Sequence, residues 1–180
     1  MPMRLLLALA MLAAGAAAFA QGTTRAPDVI FVPTPQEVVD KMLELAKVGK
    51  GDVLYDLGSG DGRIAVTAAK RFGIRATGID IDPQRIAEAN DNARRNGVSH
   101  LVQFRQEDLF KANFSEATVV TLYLLPDLNV KLRPRLLAEL KPGTRIVSHQ
   151  FDMGTWPPER KLELNGRTIY LWTVPPRQGS

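Results

Sequence analysis

From residue 52 onward, short apolar runs of strand length alternate with longer amphipathic runs of helical period, and no other feature limits the possible folds as much. The runs "DVLYDLG" (52–58), "RATGIDI" (75–81), "LVQFRQE" (101–107), "ATVVTLYLL" (117–125) and "TRIVSHQF" (144–151) read as strands. Between them, "GRIAVTAAKRFG" (62–73), "DPQRIAEANDNARRNG" (82–97) and "DLNVKLRPRLLAEL" (127–140) read as helices, the last one interrupted or bent at Pro134. Strands that alternate with helices build a mostly parallel sheet covered on both faces. The final run, "KLELNGRTIYLWTV" (161–174), divides at Asn165-Gly166, a strong signal for a tight hairpin. That hairpin brings one antiparallel strand into the sheet and makes seven strands in all. The expected class is α/β in a single domain.

Ahead of this alternation, "PTPQEVVDKMLELAKVG" (33–49) predicts a first helix, with Thr34 as N-cap, Pro35 at the first helical position and Glu37 completing a capping box. The chain's first twenty residues read differently. Arg4 precedes an uncharged Leu/Ala-rich stretch over 5–20, and Ala18-Phe19-Ala20 before Gln21 fits a small-x-small cleavage site. Residues 1–20 are therefore expected to be a cleaved signal peptide. Residues 21–32 are a flexible entry segment, and 33–180 form the domain. Sixteen apolar residues fall short of the roughly 20 that span a bilayer, so the mature chain is expected to carry no membrane span. This leader predicts a periplasmic or secreted protein, or a cytoplasmic one if the leader does not function. The absence of cysteine rules out disulfides, thiolate nucleophiles and zinc-thiolate sites. Two histidines and scattered acids show no metal-ligand spacing. A formal charge of +4 without a basic run gives little support for nucleic acid.

The chemistry is concentrated in "YDLGSGDGR" (55–63). In an open parallel sheet, ligands bind beyond the carboxyl ends of the strands, and this is the first such loop. Gly58, Gly60 and Gly62 allow a close backbone approach, Ser59 lies between them, and the following helix start offers free N–H groups. Asp56 at the strand end can accept hydrogen bonds from a cationic ligand group. A dinucleotide fingerprint would need its third glycine one position later, where Arg63 stands, and no Walker lysine follows.

The D-x-G-x-G-x-G arrangement resembles the first motif of the class I S-adenosylmethionine-dependent methyltransferases. That resemblance implies a Rossmann-like methyltransferase fold with S-adenosyl-L-methionine as cofactor. It lays the glycine loop along the cofactor's methionine part, gives Asp80 and the adjacent Ile81 to the ribose, and gives Asp108 and Leu109 to the adenine, with Phe110 beside the ring. "LKPGTRIV" (140–147) is similar to the family's turn before its fifth strand. Tyr123-Leu124-Leu125-Pro126 stands where amino-directed nucleic-acid methyltransferases carry an Asn/Asp-Pro-Pro-aromatic motif, which argues against a base amine as acceptor. More narrowly, "FVPTPQEVVDKML" (31–43) ahead of the loop resembles the small lysine methyltransferases that act on mitochondrial inner-membrane proteins. This implies a protein lysine as partner, with Val32, Pro33, Thr34 and Arg63 on the acceptor side.

A lysine acceptor must lose its ammonium proton before it attacks, and its ordinary pKa is about 10.4. Tyr123, Asp127 and His149 lie near strand ends and are the candidate catalytic groups. Trp156 and Trp172 suit core packing or a sheet edge better than an acceptor pocket. Two other readings stay open at this level: a small-molecule methyltransferase, and a non-catalytic nucleoside-binding module in the periplasm.

Overall fold

The computed structural model describes residues 30–177, so the expected signal peptide, most of the entry segment and the last three residues lie outside the described residues. Seven strands form one sheet in the order β3-β2-β1-β4-β5-β7-β6. These are β1 (Val53–Leu57), β2 (Arg75–Asp80), β3 (Val102–Gln106), β4 (Val119–Leu122), β5 (Arg145–His149), β6 (Arg160–Leu164) and β7 (Arg167–Thr173). Strands β1 to β5 pair in parallel, and β7 enters antiparallel between β5 and β6. The β6–β7 turn has positive φ at both Asn165 (50°) and Gly166 (75°), as a tight hairpin that follows the strand twist requires.

Among the described residues, four helices flank the sheet: α1 (Gln36–Leu45), α2 (Arg63–Phe72), α3 (Pro83–Arg95) and α4 (Pro126–Glu139). Helices α1 and α2 bury Val38, Met42, Ile64 and Ala65 against Leu54 and Val147 on one face. On the other face, Leu132, Leu136 and Leu140 pack on Leu57, Leu122 and Ile146. No helix connects β3 to β4; Ala112, Phe114 and Ala117 from that connection are fully buried and fill the space themselves. None of the described helices is long and apolar enough to cross a membrane.

Helix ends follow local chemistry where nothing competes for the side chain. Asp82 caps α3 by accepting from the Gln84 N–H at 2.8 Å, with Pro83 at the first helical position. Gly73 closes α2 at a φ of 64°.

Three expectations need correction. Helix α1 starts one residue late, with Pro35 at the N-cap and no side-chain cap, because the Thr34 hydroxyl is engaged instead with His149 Nδ1 at 3.2 Å. Helix α4, expected to be interrupted or bent at Pro134, is not interrupted there. The bond that Pro134 cannot donate would have gone to Val130, and both residues lie on the exposed side, where the vacant carbonyl is open to solvent. Strand β4 covers only four of the nine residues in the apolar run, since its pairing with β1 ends at Leu57↔Leu122, where the glycine loop begins.

The lower end of the sheet is pinned by Asp52. It accepts from Thr118 Oγ1 at 2.7 Å, from the Gly49 N–H at 2.9 Å and from the Arg145 guanidinium. Burial alone would raise its pKa, but these donors outweigh burial and hold it below the usual value. At the centre, Leu54 is fully buried and pairs with both Ala76 and Val119. We expect Leu54→Ala to cost roughly 2–5 kcal/mol in urea unfolding at an unchanged m-value.

Candidate functional site

Sheet order reverses between β1 and β4, which opens a crevice beyond their carboxyl ends. One pocket occupies it. Its wall includes Asp56, Gly58 and Ser59 from the glycine loop, Asp80, Ile81 and Asp82 after β2, and Asp108, Leu109 and Phe110 after β3. Tyr123 and Leu124 after β4, Arg63 from α2, and residues 30–34 also line it. Apart from Gly60 and Gly62, which belong to the loop's backbone turn, the residues expected to face a cofactor all meet on this wall.

The loop's shape follows from Asp80. Its two carboxylate oxygens accept the Gly60 N–H at 2.8 Å and the Asp82 N–H at 3.0 Å. The Gly58 and Ser59 N–H groups reach back to the Ile79 carbonyl at 2.8 and 2.9 Å. Gly60 has a φ of 51°, and a β-carbon there would stand 2.2 Å from the Phe31 ring. Only glycine permits both this backbone and the aromatic ring packed on it. Carboxylate oxygens each carry two acceptor positions, so Asp80 keeps capacity for ligand hydroxyls beyond its two backbone bonds. Asp108 likewise uses one oxygen on the Phe110 N–H at 2.9 Å.

Asp56 is the unusual group. It is 2% exposed. Thr121, its register partner on β4, donates to one oxygen at 2.8 Å, and the other oxygen has no partner among the described residues. Burial pushes its pKa up to about 7. The Thr121 bond opposes that shift, and the charges of Asp80 and Asp61 add to it. A buried carboxylate oxygen left open on a pocket wall is a place for a cationic donor.

Residues 30–34 form a strap across the pocket, although residues 30–32 were expected as part of a flexible entry. Phe31 lies against Gly60 and takes the Arg85 guanidinium over its ring at 4.7 Å. Arg63 holds the strap by donating from Nη1 to the Thr34 carbonyl at 3.0 Å. Arg63 is itself gripped by Asp61 through Nε at 2.9 Å and Nη2 at 2.5 Å. Sequence reading passed over Asp61 and Arg85. The only local signal for Asp61 was its position two residues before Arg63, and none marked Arg85.

The three candidate catalytic groups separate. Tyr123 is on the pocket wall. His149 is not: it is fully buried behind Tyr123, with ring centroids 4.0 Å apart. Asp127 is exposed in the first turn of α4 and does not line the pocket. Both are corrections. Proximity to a strand end marked these residues, but His149 points into the packed side of β5, and Asp127 serves the positive end of a helix dipole. Trp172 is core, donating to the Trp156 carbonyl at 2.9 Å.

The profile of the ANTKMT methyltransferase domain matches residues 56–160, more than half of the chain. The chain belongs to this methyltransferase family. A protein-lysine N-methyltransferase of Saccharolobus islandicus is 46% identical over 82% of the chain and 95% of its own length. The adenine nucleotide translocase lysine N-methyltransferase of Mus musculus is 37% identical over 72% of the chain, and the match takes in only 56% of that relative. The crystal structure of an RNA methyltransferase from Salinibacter ruber in complex with S-adenosyl-L-homocysteine superposes with a TM-score of 0.80. It is 59% identical over 82% of this chain and 97% of that one.

S-adenosyl-L-methionine is thus the cofactor of this ANTKMT-family domain, and the residues fit it. The open oxygen of Asp56 suits the ammonium of the methionine part, and the bare glycine backbone suits its close approach. Asp80 has spare acceptor capacity for the ribose. Asp108, with Leu109 and Phe110, suits an adenine amine and ring. When bound, the cofactor supplies a methyl group on a cationic sulfur.

Two outcomes follow. Gly60→Ala should weaken S-adenosylhomocysteine binding at least tenfold in calorimetry, because the new β-carbon displaces Phe31. The second concerns pH. Below about 7 Asp56 keeps its proton in the ligand-free protein, so affinity for the ammonium-bearing cofactor should rise between pH 6 and 8. Its stability effect has the opposite sign. With a folded pKa above the ordinary 3.8, Asp56 contributes stability that is full below that value and lost as pH rises through about 7. Asp56→Asn should flatten both profiles, read by calorimetry and by ligand-free thermal unfolding.

Proposed function

We propose that the protein methylates the ε-amine of lysine in a protein substrate. The observation that carries this reading is the charge of the pocket wall. Six acidic side chains, Asp56, Asp61, Asp80, Asp82, Glu107 and Asp108, line the pocket with two guanidiniums, from Arg63 and Arg85, so the wall stays net negative even with Asp56 taken up by the cofactor's ammonium. Such a wall draws in cations and repels a phosphodiester backbone. At its mouth, Ile30 is 88% and Val32 54% exposed, an apolar rim suited to the methylene stem of a lysine. The Saccharolobus relative, named for lysine methylation, supports the same acceptor.

Within this reading the strap and Leu124 exclude water, which strengthens every charge interaction inside the pocket. The arriving ammonium must shed a proton, and it gives that proton to water at the pocket mouth before the neutral amine attacks. Tyr123 is the group among the three candidates that borders the pocket, and its hydroxyl oxygen is the acceptor that orients the amine there.

The Salinibacter relative, named for RNA methylation, supports a different acceptor. The acidic wall opposes it, as does the Tyr-Leu-Leu-Pro sequence that replaces an amine-binding motif after β4. Methyl-labelled S-adenosylmethionine, incubated with the protein and a cell extract, separates the acceptors. We expect label that protease releases and ribonuclease does not, with methyl-lysine recovered after acid hydrolysis. Ribonuclease-sensitive label, or label confined to the low-mass fraction, would overturn the proposal.

A further inference from the structure

His149 is fully buried, yet it is an imidazole where an apolar residue would pack without cost. Among the described residues, the ring's single hydrogen bond is Nδ1 with the Thr34 hydroxyl, at 3.2 Å across 115 residues of sequence, and Nε2 has no partner. The same ring packs against Tyr123 at 4.0 Å, and Phe151 stacks on that tyrosine at 6.2 Å. One side chain therefore touches the strap through Thr34 and the pocket wall through Tyr123, and both of those residues border the pocket.

The surroundings of His149 keep it still. Gln150, next in sequence, has a φ of 69°; it donates its N–H to the Thr168 carbonyl at 2.7 Å. Ser148 donates to the Phe151 carbonyl at 2.6 Å, and the buried Asn129 amide spans Ser148, Phe151 and Asp152. The end of β5 is thus rigid. The strap is not part of any helix or strand, and its described hydrogen bonds to the rest of the domain are Arg63 to the Thr34 carbonyl and Thr34 to His149.

We propose that His149 is a positioning residue for methyl transfer, which latches the strap to the sheet through Thr34 and at the same time fixes the ring of Tyr123, so that the cover of the pocket and its β4 wall are set by one group. The inference rests on the methyltransferase assignment and not on the identity of the acceptor. Burial and the nearby Arg167 charge push the His149 pKa down to about 4. The latch therefore stays neutral and constant over the working pH range. Tyr123, Thr34 and Arg167 are the polar or charged groups that face it.

The two roles can be separated by substitution. His149→Phe keeps a ring against Tyr123 and loses the bond to Thr34. His149→Asn keeps an amide able to donate or accept near the Nδ1 position and loses the ring. Thr34→Val removes the hydroxyl with its shape preserved. We expect His149→Phe and Thr34→Val each to weaken S-adenosylhomocysteine binding roughly five- to tenfold in calorimetry, the scale of one lost hydrogen bond. The double variant should be no weaker than the weaker single. His149→Asn should bind within about twofold of the unchanged protein but lose kcat at an unchanged pH profile. Unaltered affinity in Thr34→Val, or losses that multiply in the double variant, would overturn the proposal. So would an ionisation in the pH profile that vanishes in His149→Asn, which marks a base and not a support. The binding arm needs no acceptor, so it stands whether or not the lysine reading does, and Thr34→Val decides it even if a His149 variant fails to fold.

Discussion

A carboxylate buried at the switch point of the sheet, with one of its oxygens left open, is the constraint around which this molecule is arranged. The β1–β4 register sets Asp56 opposite Thr121, and that pairing supplies its one hydrogen bond. Thr121 satisfies half of the group. Burial and the like charges of Asp80 and Asp61 leave the other half in need of a proton or a cation. The crevice between β1 and β4 is where a parallel sheet leaves room for a ligand, and Asp56 makes that room selective for positive charge.

Asp80 complements it by doing the opposite. Both of its oxygens are turned to backbone N–H groups, and those bonds hold the glycine loop and the start of α3 in place. One carboxylate shapes the site and the other waits for the ligand. Around them the strap supplies what the sheet cannot, an apolar cover. Phe31 packs on Gly60, and Arg63 anchors the Thr34 carbonyl while Asp61 anchors Arg63. The pocket is therefore acidic inside and apolar at its mouth. A long side chain that ends in a cation has the matching distribution.

Much of this is legible in the residues alone. The alternation of runs is enough for the parallel sheet, Asn165-Gly166 for the reversed strand, and Asp82-Pro83 for the cap of α3. Strand-end position and the glycine spacing are enough for Asp56 and its loop, while Asp80 and Asp108, which line the same pocket, are marked by the family resemblance. Each of these features depends on local dihedral preference or on burial pattern, and both are written in short windows of sequence. The misreadings share another cause. Thr34 has the right neighbours for a helix cap and goes to a histidine 115 residues away. Pro134 has the composition of a break and falls on a solvent face that tolerates it. Asp127 and His149 have the right position along the strands and the wrong direction.

The sequence by itself determined the order and type of elements and which acids stand at the strand ends that line the pocket, because backbone conformation and strand-end position follow from nearby residues. Tertiary structure alone decided which oxygen of Asp56 stays open, which aromatic covers Gly60, and that one buried imidazole joins the strap to Tyr123. Those are competitions among distant groups for the same hydrogen bond or the same space, and they are settled only when the sheet brings the competitors together.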